Sequence, residues 1–382
     1  MIYLDYHATT PVDPRVLEAM LPYFTEHFGN PASASHQVGW KAQQAVEAAR
    51  KDVAAILGAS AREVVFTSGA SESNNMAIRG VAERDGQTRR HIAVSAIEHK
   101  SVLESAARLE QSGWRRTIIP VRPDGLVDLA ALKEIVTGDT AIVSVMAANN
   151  EIGVIQPLAQ IGAIAHAQGA LFHTDAAQAI GKMPIDVASM HIDLLSLTAH
   201  KMYGPKGSGA LYIRKNTAVE PLIIGGGQER GWRAGTLNVP GIVGLAKSCA
   251  IGRADMIEEN ARLASRRDRL LSGLQSRLDG IVVNGSMEHR LPHNLHVSFL
   301  GVDGESLLIG IGDIAVSSGS ACASAAAEPS HVLAAIMGGK VPSACIRFGI
   351  GRFTTEEDIE YTIDKFATVV RHLRQSAPGA IQ

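Results

Sequence analysis

The sequence has 382 residues, with 36 Lys and Arg against 38 Asp and Glu, which leaves a formal charge of −2. This balance argues against nucleic acid or an anionic membrane as the main partner. Hydrophobic residues make up 46% and charged residues 19%, which excludes wholesale disorder and predicts a globular chain of about two domains. The first residues contain no basic region followed by an apolar run, so we expect no signal peptide. Three cysteines, Cys249, Cys322 and Cys345, lie far apart, which favours a reducing compartment, by default the cytoplasm.

Helical and strand patterns alternate over the first part of the chain. Apolar residues at helical spacing predict a helix over 37–57, and Gly58 is a common residue just past a helix end. The predicted strands that follow are 64–66, 91–95, 117–121, 141–146, 170–173, 194–197 and 209–213, and the predicted helices are 72–83, 101–111, 129–136 and 161–167. Such alternation predicts an α/β fold with a mostly parallel sheet covered on both faces. Ligands bind such sheets at the carboxyl ends of the strands.

The pattern changes after Pro240. A long helical stretch over 244–274 becomes increasingly charged. Short segments of strand or helix follow at 281–284, 295–299, 305–309, 315–317, 346–350 and 356–373. This mixture predicts a smaller α+β domain, with a boundary near residue 256.

The first candidate site follows the strand that ends at Phe66. Residues 66–75 read Phe-Thr-Ser-Gly-Ala-Ser-Glu-Ser-Asn-Asn and run through Gly69 into a helix start. Unpaired backbone N–H groups at a helix N-terminus, with small hydroxylated side chains beside them, suit a phosphate. The alternative is an ordinary N-cap turn, since Ser and Thr precede many helices.

Asp175 and Lys201 each follow a predicted strand. An aspartate at that place points into the ligand crevice, and a buried carboxylate there needs a cationic partner, although an N-cap aspartate explains the residue equally well by itself. Lys201 leads into a turn rich in glycine and proline. A desolvated lysine there can form a Schiff base with a carbonyl ligand, whereas the alternative is a surface lysine.

These three signals predict a site for pyridoxal 5′-phosphate (PLP). A phosphate cradle, an acid for the ring nitrogen and a lysine for the carbonyl are the groups that this cofactor needs. A nicotinamide dinucleotide competes poorly, because no Gly-x-Gly-x-x-Gly follows the first strand. The three glycines at 225–227 lie late in the domain and precede Gln-Glu-Arg.

Seven motifs resemble those of the cysteine desulfurases, a family of PLP enzymes. They are Leu-Asp-Tyr-His-Ala-Thr-Thr-Pro at 4–11, Glu-His-Lys at 98–100, Asn-Asn-Glu-Ile-Gly at 149–153, His-Lys-Met-Tyr-Gly-Pro-Lys-Gly at 200–207, Gly-Gly-Gln-Glu-Arg-Gly at 226–231, Ser-Ser-Gly-Ser-Ala-Cys at 317–322 and Arg-Phe-Gly-Ile-Gly-Arg-Phe-Thr-Thr-Glu-Glu at 347–357. The resemblance implies an aspartate-aminotransferase-like fold, a homodimer, and removal of sulfur from L-cysteine to leave L-alanine. The expected division is a large PLP-binding domain over 12–256 and a small domain over 1–11 and 257–382 that carries the catalytic cysteine.

The resemblance also implies a role for each matched residue. Lys201 matches the Schiff-base lysine, Asp175 the partner of the pyridinium nitrogen, and His99 the histidine that stacks on the ring and moves protons. Further cofactor contacts implied are Ala70, Ser71, Thr198 and His200 in the phosphate cup, Gln178 and Asn150 around the 3′-oxygen, and Thr236 on the phosphate of the other subunit. Arg347 matches the arginine that binds the substrate carboxylate, with Asn150 beside it, and Cys322 matches the nucleophile that accepts sulfur.

The residues around Cys322 are compatible with that role. Residues 318–329 are mostly Gly, Ser and Ala, which predicts a loop, with a small residue packed in a tight turn as the alternative. A thiol of ordinary pKa is mostly protonated at neutral pH, so Cys322 needs a cationic neighbour or a proton acceptor. We expect Cys249 and Cys345 to be small core residues.

Arginine suits the substrate because a planar guanidinium matches a carboxylate with two parallel hydrogen bonds. Arg347 is the closer match to the family's carboxylate-binding residue, and we expect Arg352 to form a structural ion pair. His7 is expected to be a structural or surface group, although it lies inside the first matched motif.

The sulfur acceptor stays open at this point. Residues 374–382 do not form the longer extension with which iron–sulfur assembly members of the family dock a scaffold protein. The partner is therefore a scaffold or another acceptor protein, and we expect no metal site, no direct nucleic acid binding and no membrane contact. Selenocysteine lysis, amino transfer or a non-catalytic assembly role are the alternatives, and the presence of Lys201 argues against the last.

Overall fold

The computed structural model describes residues 1–84, 86–318 and 330–376. The chain begins with β1 (Ile2–Tyr3), α1 (Pro14–Met20), α2 (Pro22–Thr25) and α3 (Gln37–Leu57). The predicted bounds of α3 are confirmed, and Gly58 ends the helix in the left-handed conformation, with φ at 66°.

A seven-stranded sheet lies at the centre of the described chain. Its strands are β2 (Val64–Thr67), β3 (His91–Ser95), β4 (Arg115–Ile119), β5 (Thr140–Ser144), β6 (Leu171–Asp175), β7 (Leu194–Thr198) and β8 (Gly209–Ile213). The helices that follow β2 to β5 are α4 (Ala70–Glu83), α5 (Lys100–Glu110), α6 (Leu129–Ile135) and α7 (Leu158–Ala167). The strand order is β2-β8-β7-β6-β5-β3-β4, and β8 runs antiparallel to both of its neighbours. The other neighbouring pairs are parallel, which confirms a mostly parallel sheet.

Apolar side chains cover both faces of this sheet. Strands β3, β5, β7 and β8 are buried at every residue, as expected of a sheet with helices on both sides. Successive residues of β5 enter different cores, because side chains alternate along a strand. Ile142 belongs to the same buried cluster as residues of α4 and α5, whereas Val143 belongs to the cluster that contains residues of α3 and α8 (Val239–Arg277).

The C-terminal part forms a second, antiparallel sheet. Its further elements are β9 (Ile281–Val283), β10 (Asn294–Phe299), α9 (Gly304–Gly310), β11 (Ile314–Ala315), β12 (Ser317–Ser318), α10 (His331–Met337), β13 (Cys345–Gly349) and α11 (Glu356–Ser376). The strand order is β12-β13-β10-β9, and β1 pairs in parallel with β11. A separate core lies here, in which Phe299 and Phe348 pack against Phe366 and Leu4 joins them.

Helix α8 joins the two parts. It has 39 residues, about 58 Å at the usual rise, and it packs against α3 and α11. It begins earlier than predicted because Asn238 caps it and Pro240 fits the first turn. The boundary predicted near residue 256 falls inside this unbroken helix, and the division into 12–256 against 1–11 and 257–382 stays a prediction. No described helix, α8 included, has the length and apolar character needed to span a membrane.

Candidate active site

A cavity of about 550 Å³ opens where strands β6 and β7 end and α4 begins. Ten of the predicted site residues line it: Ala70, Ser71, His99, Asn150, Asp175, Gln178, Thr198, His200, Lys201 and Arg347. Thr236 is exposed and lies outside the lining. Cys322 lies outside the residues that the structure describes.

One end of the cavity is built by the turn between β2 and α4. Gly69 precedes the helix with φ at 154°, a conformation that other residues rarely adopt. Gly209 of β8 packs against it so closely that a Cβ there would lie 2.6 Å from the Gly69 Cα. The helix leaves its first backbone N–H groups without partners inside the helix, and Ala70 and Ser71 line the cavity at that point. This end can hold a phosphate.

Asp175 ends strand β6 and is held by two hydrogen bonds. Its Oδ2 accepts from Asn74 Nδ2 at 2.7 Å, and its Oδ1 accepts from the Ala177 N–H at 2.9 Å. Asn74 also donates to Ser101 Oγ, at 2.9 Å. Sequence reasoning missed Asn74, although it follows Ala70 by one helical turn and so shares its face of α4. The carboxylate is therefore fixed in orientation at the edge of the cavity.

Lys201 is half-buried, and no carboxylate of residues 1–84, 86–318 and 330–376 is bonded to it. Its Nζ donates to the carbonyl oxygens of His7 and Ala8. Burial lowers the pKa of Lys201 to about 8, and the Arg347 guanidinium adds to this effect. The carboxylates of Asp5 and Asp175 oppose it. Roughly a tenth of the amine is then neutral at about pH 7, far more than in an ordinary lysine. The alternative of a surface lysine does not fit these surroundings.

His99 caps helix α5 and points its other ring nitrogen away from that cap. The Nδ1 atom accepts from the Ser101 N–H at 3.1 Å and lies 2.8 Å from Ser101 Oγ. Burial lowers the pKa of His99, and Asp175 opposes the shift. A neutral ring whose Nδ1 accepts carries its proton on Nε2. His99 is thus held as a group that can give or take a proton in the cavity.

Arg347 and Arg352 have different surroundings. Arg347 donates to Asp5 Oδ1 at 2.8 Å, to Ser317 Oγ at 2.9 Å and to the Asn150 carbonyl at 2.9 Å. Its buried Nε has no partner among the described residues, and the side chain lines the cavity. Arg352 pairs with Glu259 at 2.7 Å and with Asp13, which confirms its predicted structural ion pair.

Further residues line the cavity, and two of the cysteines are buried away from it. His7 is only 1% exposed and lines the cavity, and its place in the first matched motif was the available signal for that position. Its burial agrees with the expectation of a structural group. Lys206 also lines the cavity. Cys249 and Cys345 are buried, as predicted, and burial raises the pKa of both thiols. Among the described residues, no group of three histidine, cysteine or acidic side chains is placed to hold a metal ion.

The chain is similar to curated and structurally characterised proteins over nearly its whole length. It is 53% identical to cysteine desulfurase IscS of Anaeromyxobacter sp. (strain K) over 380 residues, which cover 99% of this chain and 94% of that protein. It is 50% identical to cysteine desulfurase IscS of Rickettsia felis, with 99% and 93% covered. Among solved structures, a NifS-like protein superposes with a TM-score of 0.90 at 40% identity, covering 97% of this chain and 100% of that one. The structure of SspA in complex with cysteine superposes with a TM-score of 0.81 at 36% identity, covering 93% and 100%.

The family model agrees with these likenesses and with the cavity. The model of the class-V aminotransferases matches residues 2–362, a span that includes β2 to β8 and every described residue that lines the cavity. Because this match and the relatives' alignments extend over nearly the whole chain, the protein belongs to the class-V aminotransferase family.

Proposed function

We propose that this protein is a cysteine desulfurase, a PLP enzyme that takes sulfur from L-cysteine and releases L-alanine. The observation that carries the proposal is the meeting of Lys201, Asp175 and the start of α4 in one cavity with Arg347. Two of the similar proteins are named as cysteine desulfurases, and a similar structure contains cysteine. Lys201, Asp175 and Arg347 give this chain the groups that the reaction needs.

The residues of the cavity fit PLP. The α4 N-terminus at Ala70 and Ser71 suits the phosphate, and the fixed carboxylate of Asp175 suits a protonated ring nitrogen. The Lys201 amine, with its lowered pKa, suits the aldehyde. When bound, PLP supplies an electron sink for the bonds at the substrate's α-carbon.

The chain's own residues then have separate tasks. Arg347 lines the cavity with its guanidinium plane fixed by three hydrogen bonds, and it binds the substrate carboxylate with Asn150 beside it. Lys201 and His99 are both partly or wholly neutral near pH 7 and move protons. The Cys322 thiolate forms a bond to the substrate sulfur while the carbon–sulfur bond breaks, and the released electron pair and a proton end on the alanine carbon.

Cys322→Ser tests the sulfur-transfer step. Serine has about the size of cysteine but supplies no thiolate, so binding of PLP and of L-cysteine should persist while alanine release collapses. Alanine assay and mass spectrometry of the Cys322 peptide report persulfide formation. Cys249→Ser and Cys345→Ser are the matched controls, because both thiols are buried and protonated. Near wild-type turnover by Cys322→Ser would refute the proposal, and steady formation of a keto acid would favour amino transfer.

Attachment of the cofactor is tested by reduction. Borohydride treatment of the PLP-loaded protein should fix the cofactor to the peptide that contains Lys201, and digestion with mass spectrometry locates it. Attachment at Lys206, the other lysine that lines the cavity, would reassign the role.

We also propose that two copies of the chain form the active unit. Exposed apolar side chains concentrate in two stretches. Phe28, before α3, is 69% exposed, and Ile224, next to the glycine run at 225–227, is 87% exposed. These two stretches meet, because a second cavity is lined both by residues 30–32 and by residues 227–230. Exposed apolar surface of this kind favours a protein partner. The exposed Thr236 lies in the same region, as expected of a residue that reaches the phosphate of the other subunit.

The remaining proposals concern the sulfur acceptor and the compartment. We propose a cytoplasmic enzyme with a large domain over 12–256 and a small domain over 1–11 and 257–382, which hands the sulfur to an iron–sulfur scaffold or another acceptor protein. Capture of proteins on the persulfide-loaded enzyme, compared with capture on Cys322→Ser, identifies the acceptor. A protein that binds both forms equally is not a sulfur acceptor.

A further inference from the structure

Four polar side chains form a continuous hydrogen-bonded chain that ends at the cavity. Arg290 Nη1 donates to Asn294 Oδ1 at 2.8 Å, and Asn294 Nδ2 lies 3.1 Å from His7 Nε2. His7 Nδ1 lies 3.0 Å from Gln178 Oε1. We call Arg290, Asn294, His7 and Gln178 the polar chain. Its last two members line the cavity, whereas its first member lies before β10.

The polar chain has one direction. A guanidinium only donates, so the Asn294 atom that faces Arg290 is the amide oxygen. The amide nitrogen of Asn294 then donates to the Glu151 carbonyl at 2.9 Å and to His7 Nε2. Because Nε2 accepts, a neutral His7 carries its proton on Nδ1 and donates it to Gln178 Oε1.

His7 is enclosed in a way that keeps it neutral. Its ring is 1% exposed and stacks on His293 with the ring centres 4.4 Å apart. Burial lowers the pKa of His7 far below its ordinary value, and the positive charges of Arg347, Lys201 and Lys182 add to this effect. A single neutral tautomer therefore faces Gln178 near neutral pH.

The neutral His7 ring fixes the orientation of the Gln178 amide. Its oxygen is occupied by the His7 Nδ1–H, and its nitrogen donates one hydrogen to the His7 carbonyl at 3.0 Å. The amide cannot turn over without placing two donors, or two acceptors, against each other. One Nε2 hydrogen remains, and it is the donor that Gln178 has available for the cavity.

We propose that His7 is a positioning residue that presents the Gln178 N–H to the ring oxygen of PLP. The proposal deepens the proposed function and rests on it. A hydrogen bond to a charged oxygen stabilises the charge, so the Gln178 N–H favours the deprotonated form of the bound cofactor. Loss of this N–H should raise the pKa at which the visible absorption band of the bound cofactor changes.

The experiment is a spectroscopic pH titration of the PLP-loaded protein and its variants. His7→Leu and Gln178→Met should each raise the pKa of the absorption change by about one unit, the effect of one hydrogen bond to a charged group. The double variant should shift no further, because both changes remove the same donor. His7→Asn keeps an N–H near the place of Nδ1 and should restore most of the wild-type pKa.

A matched control separates this effect from the loss of any buried imidazole. His91 is equally buried at the start of β3, and it does not line the cavity. Its two ring nitrogens form hydrogen bonds with Thr140 and Thr117. His91→Leu should lower stability and leave the absorption pKa unchanged. An unchanged pKa in His7→Leu beside a raised pKa in Gln178→Met would overturn the proposal, as would additive shifts in the double variant.

A second measurement uses the wild-type protein and therefore does not depend on whether a variant folds. Nitrogen NMR of the labelled imidazoles in the wild-type holoenzyme should show His7 protonated on Nδ1 and unprotonated on Nε2, and the opposite tautomer would overturn the proposal. Failure of the wild type to bind PLP would instead refute the proposed function, so the two failures are distinguishable.

Discussion

The surroundings of Lys201 disfavour its charged form on balance. Burial has the largest effect, the Arg347 guanidinium has the same sign, and Asp5 and Asp175 oppose both, which leaves the pKa at about 8. The carbonyl oxygens of His7 and Ala8 hold the amine in place without pairing its charge. A lysine so placed can react as a neutral amine near neutral pH.

The first prediction concerns the pH dependence of cofactor capture. The reactive amine is neutral, so the rate at which PLP-free protein captures PLP should rise about tenfold per pH unit below about pH 8 and level off above it. Rapid-mixing absorbance measures this rate. Arg347→Leu removes a positive charge and should move the midpoint upward. A wild-type midpoint at the value of an ordinary lysine would contradict the account of Lys201.

Arg347 supplies the second prediction at this scale. Arg347→Lys keeps the charge but loses the planar fork, so the KM for L-cysteine should rise by about 10- to 100-fold, while kcat falls less. Steady-state alanine release measures both constants. Arg352→Lys is the control, because Arg352 pairs with Asp13 and Glu259. It should lower the melting temperature and leave the KM nearly unchanged; equal KM values for the two variants would contradict the assignment.

At the scale of elements, one buried ion pair beside the second cavity connects α3, the turn at Glu229 and β2. Arg50 of α3 donates to both carboxylate oxygens of Glu229, each at 2.7 Å, and Glu229 also accepts from the Phe66 N–H of β2. Glu229 and Arg230 have φ values of 46° and 60°, which non-glycine residues rarely adopt. The ion pair therefore keeps the strained turn after the glycine run beside the strand that leads to the phosphate end.

Loss of this ion pair should lower the stability of the fold. Arg50→Met leaves the Glu229 carboxylate buried without its partner, and the free energy of unfolding should fall by about 3–5 kcal/mol. Urea denaturation measures the loss. Arg79→Met is the matched control, because Arg79 and Glu83 form an exposed pair one turn apart, which contributes about 0.5 kcal/mol. Similar losses in the two variants would show that Arg50 contributes no more than a surface charge.

At the scale of the whole molecule, exposed apolar side chains are unevenly distributed. Leu21, Phe24 and Phe28 are more than half exposed within one short stretch, and Ile224 lies in a segment that meets that stretch at the second cavity. Scattered exposed leucines need no explanation, whereas a concentration of this kind favours an interface. A second copy of the chain is the occupant that we propose.

The dimer prediction follows from that surface. Phe28→Asp places a charge in the proposed interface and should shift sedimentation from dimer toward monomer, with activity falling as the protein is diluted. Ile309→Asp is the control, because Ile309 is 75% exposed on α9 of the C-terminal part. A fully active monomer, or equal dissociation of both variants, would refute the proposed interface.

Elements with strong local patterns were predictable. The bounds of α3, β3 and β8 agree with the sequence patterns, because helical spacing and continuous apolar runs reflect burial directly. The short elements β1, α1, α2 and α10 were missed. β1 has only two residues and exists because it pairs with β11, more than 300 residues away in the chain. A local pattern contains no record of such a pairing.

The sequence by itself determined which chemistry the site contains. Asp175 and Lys201 stand at strand ends, and the turn at Gly69 precedes a helix, so residue type and local pattern together predicted PLP. Only the tertiary structure decided how these groups are held: Asn74 bonds Asp175 across 101 positions of the chain, His7 bonds Gln178 across 171, and Arg347 bonds Asp5 across 342. A hydrogen bond depends on distance and direction to within a few tenths of an ångström. Those quantities arise from the packing of the two sheets and α8, which no stretch of sequence specifies locally.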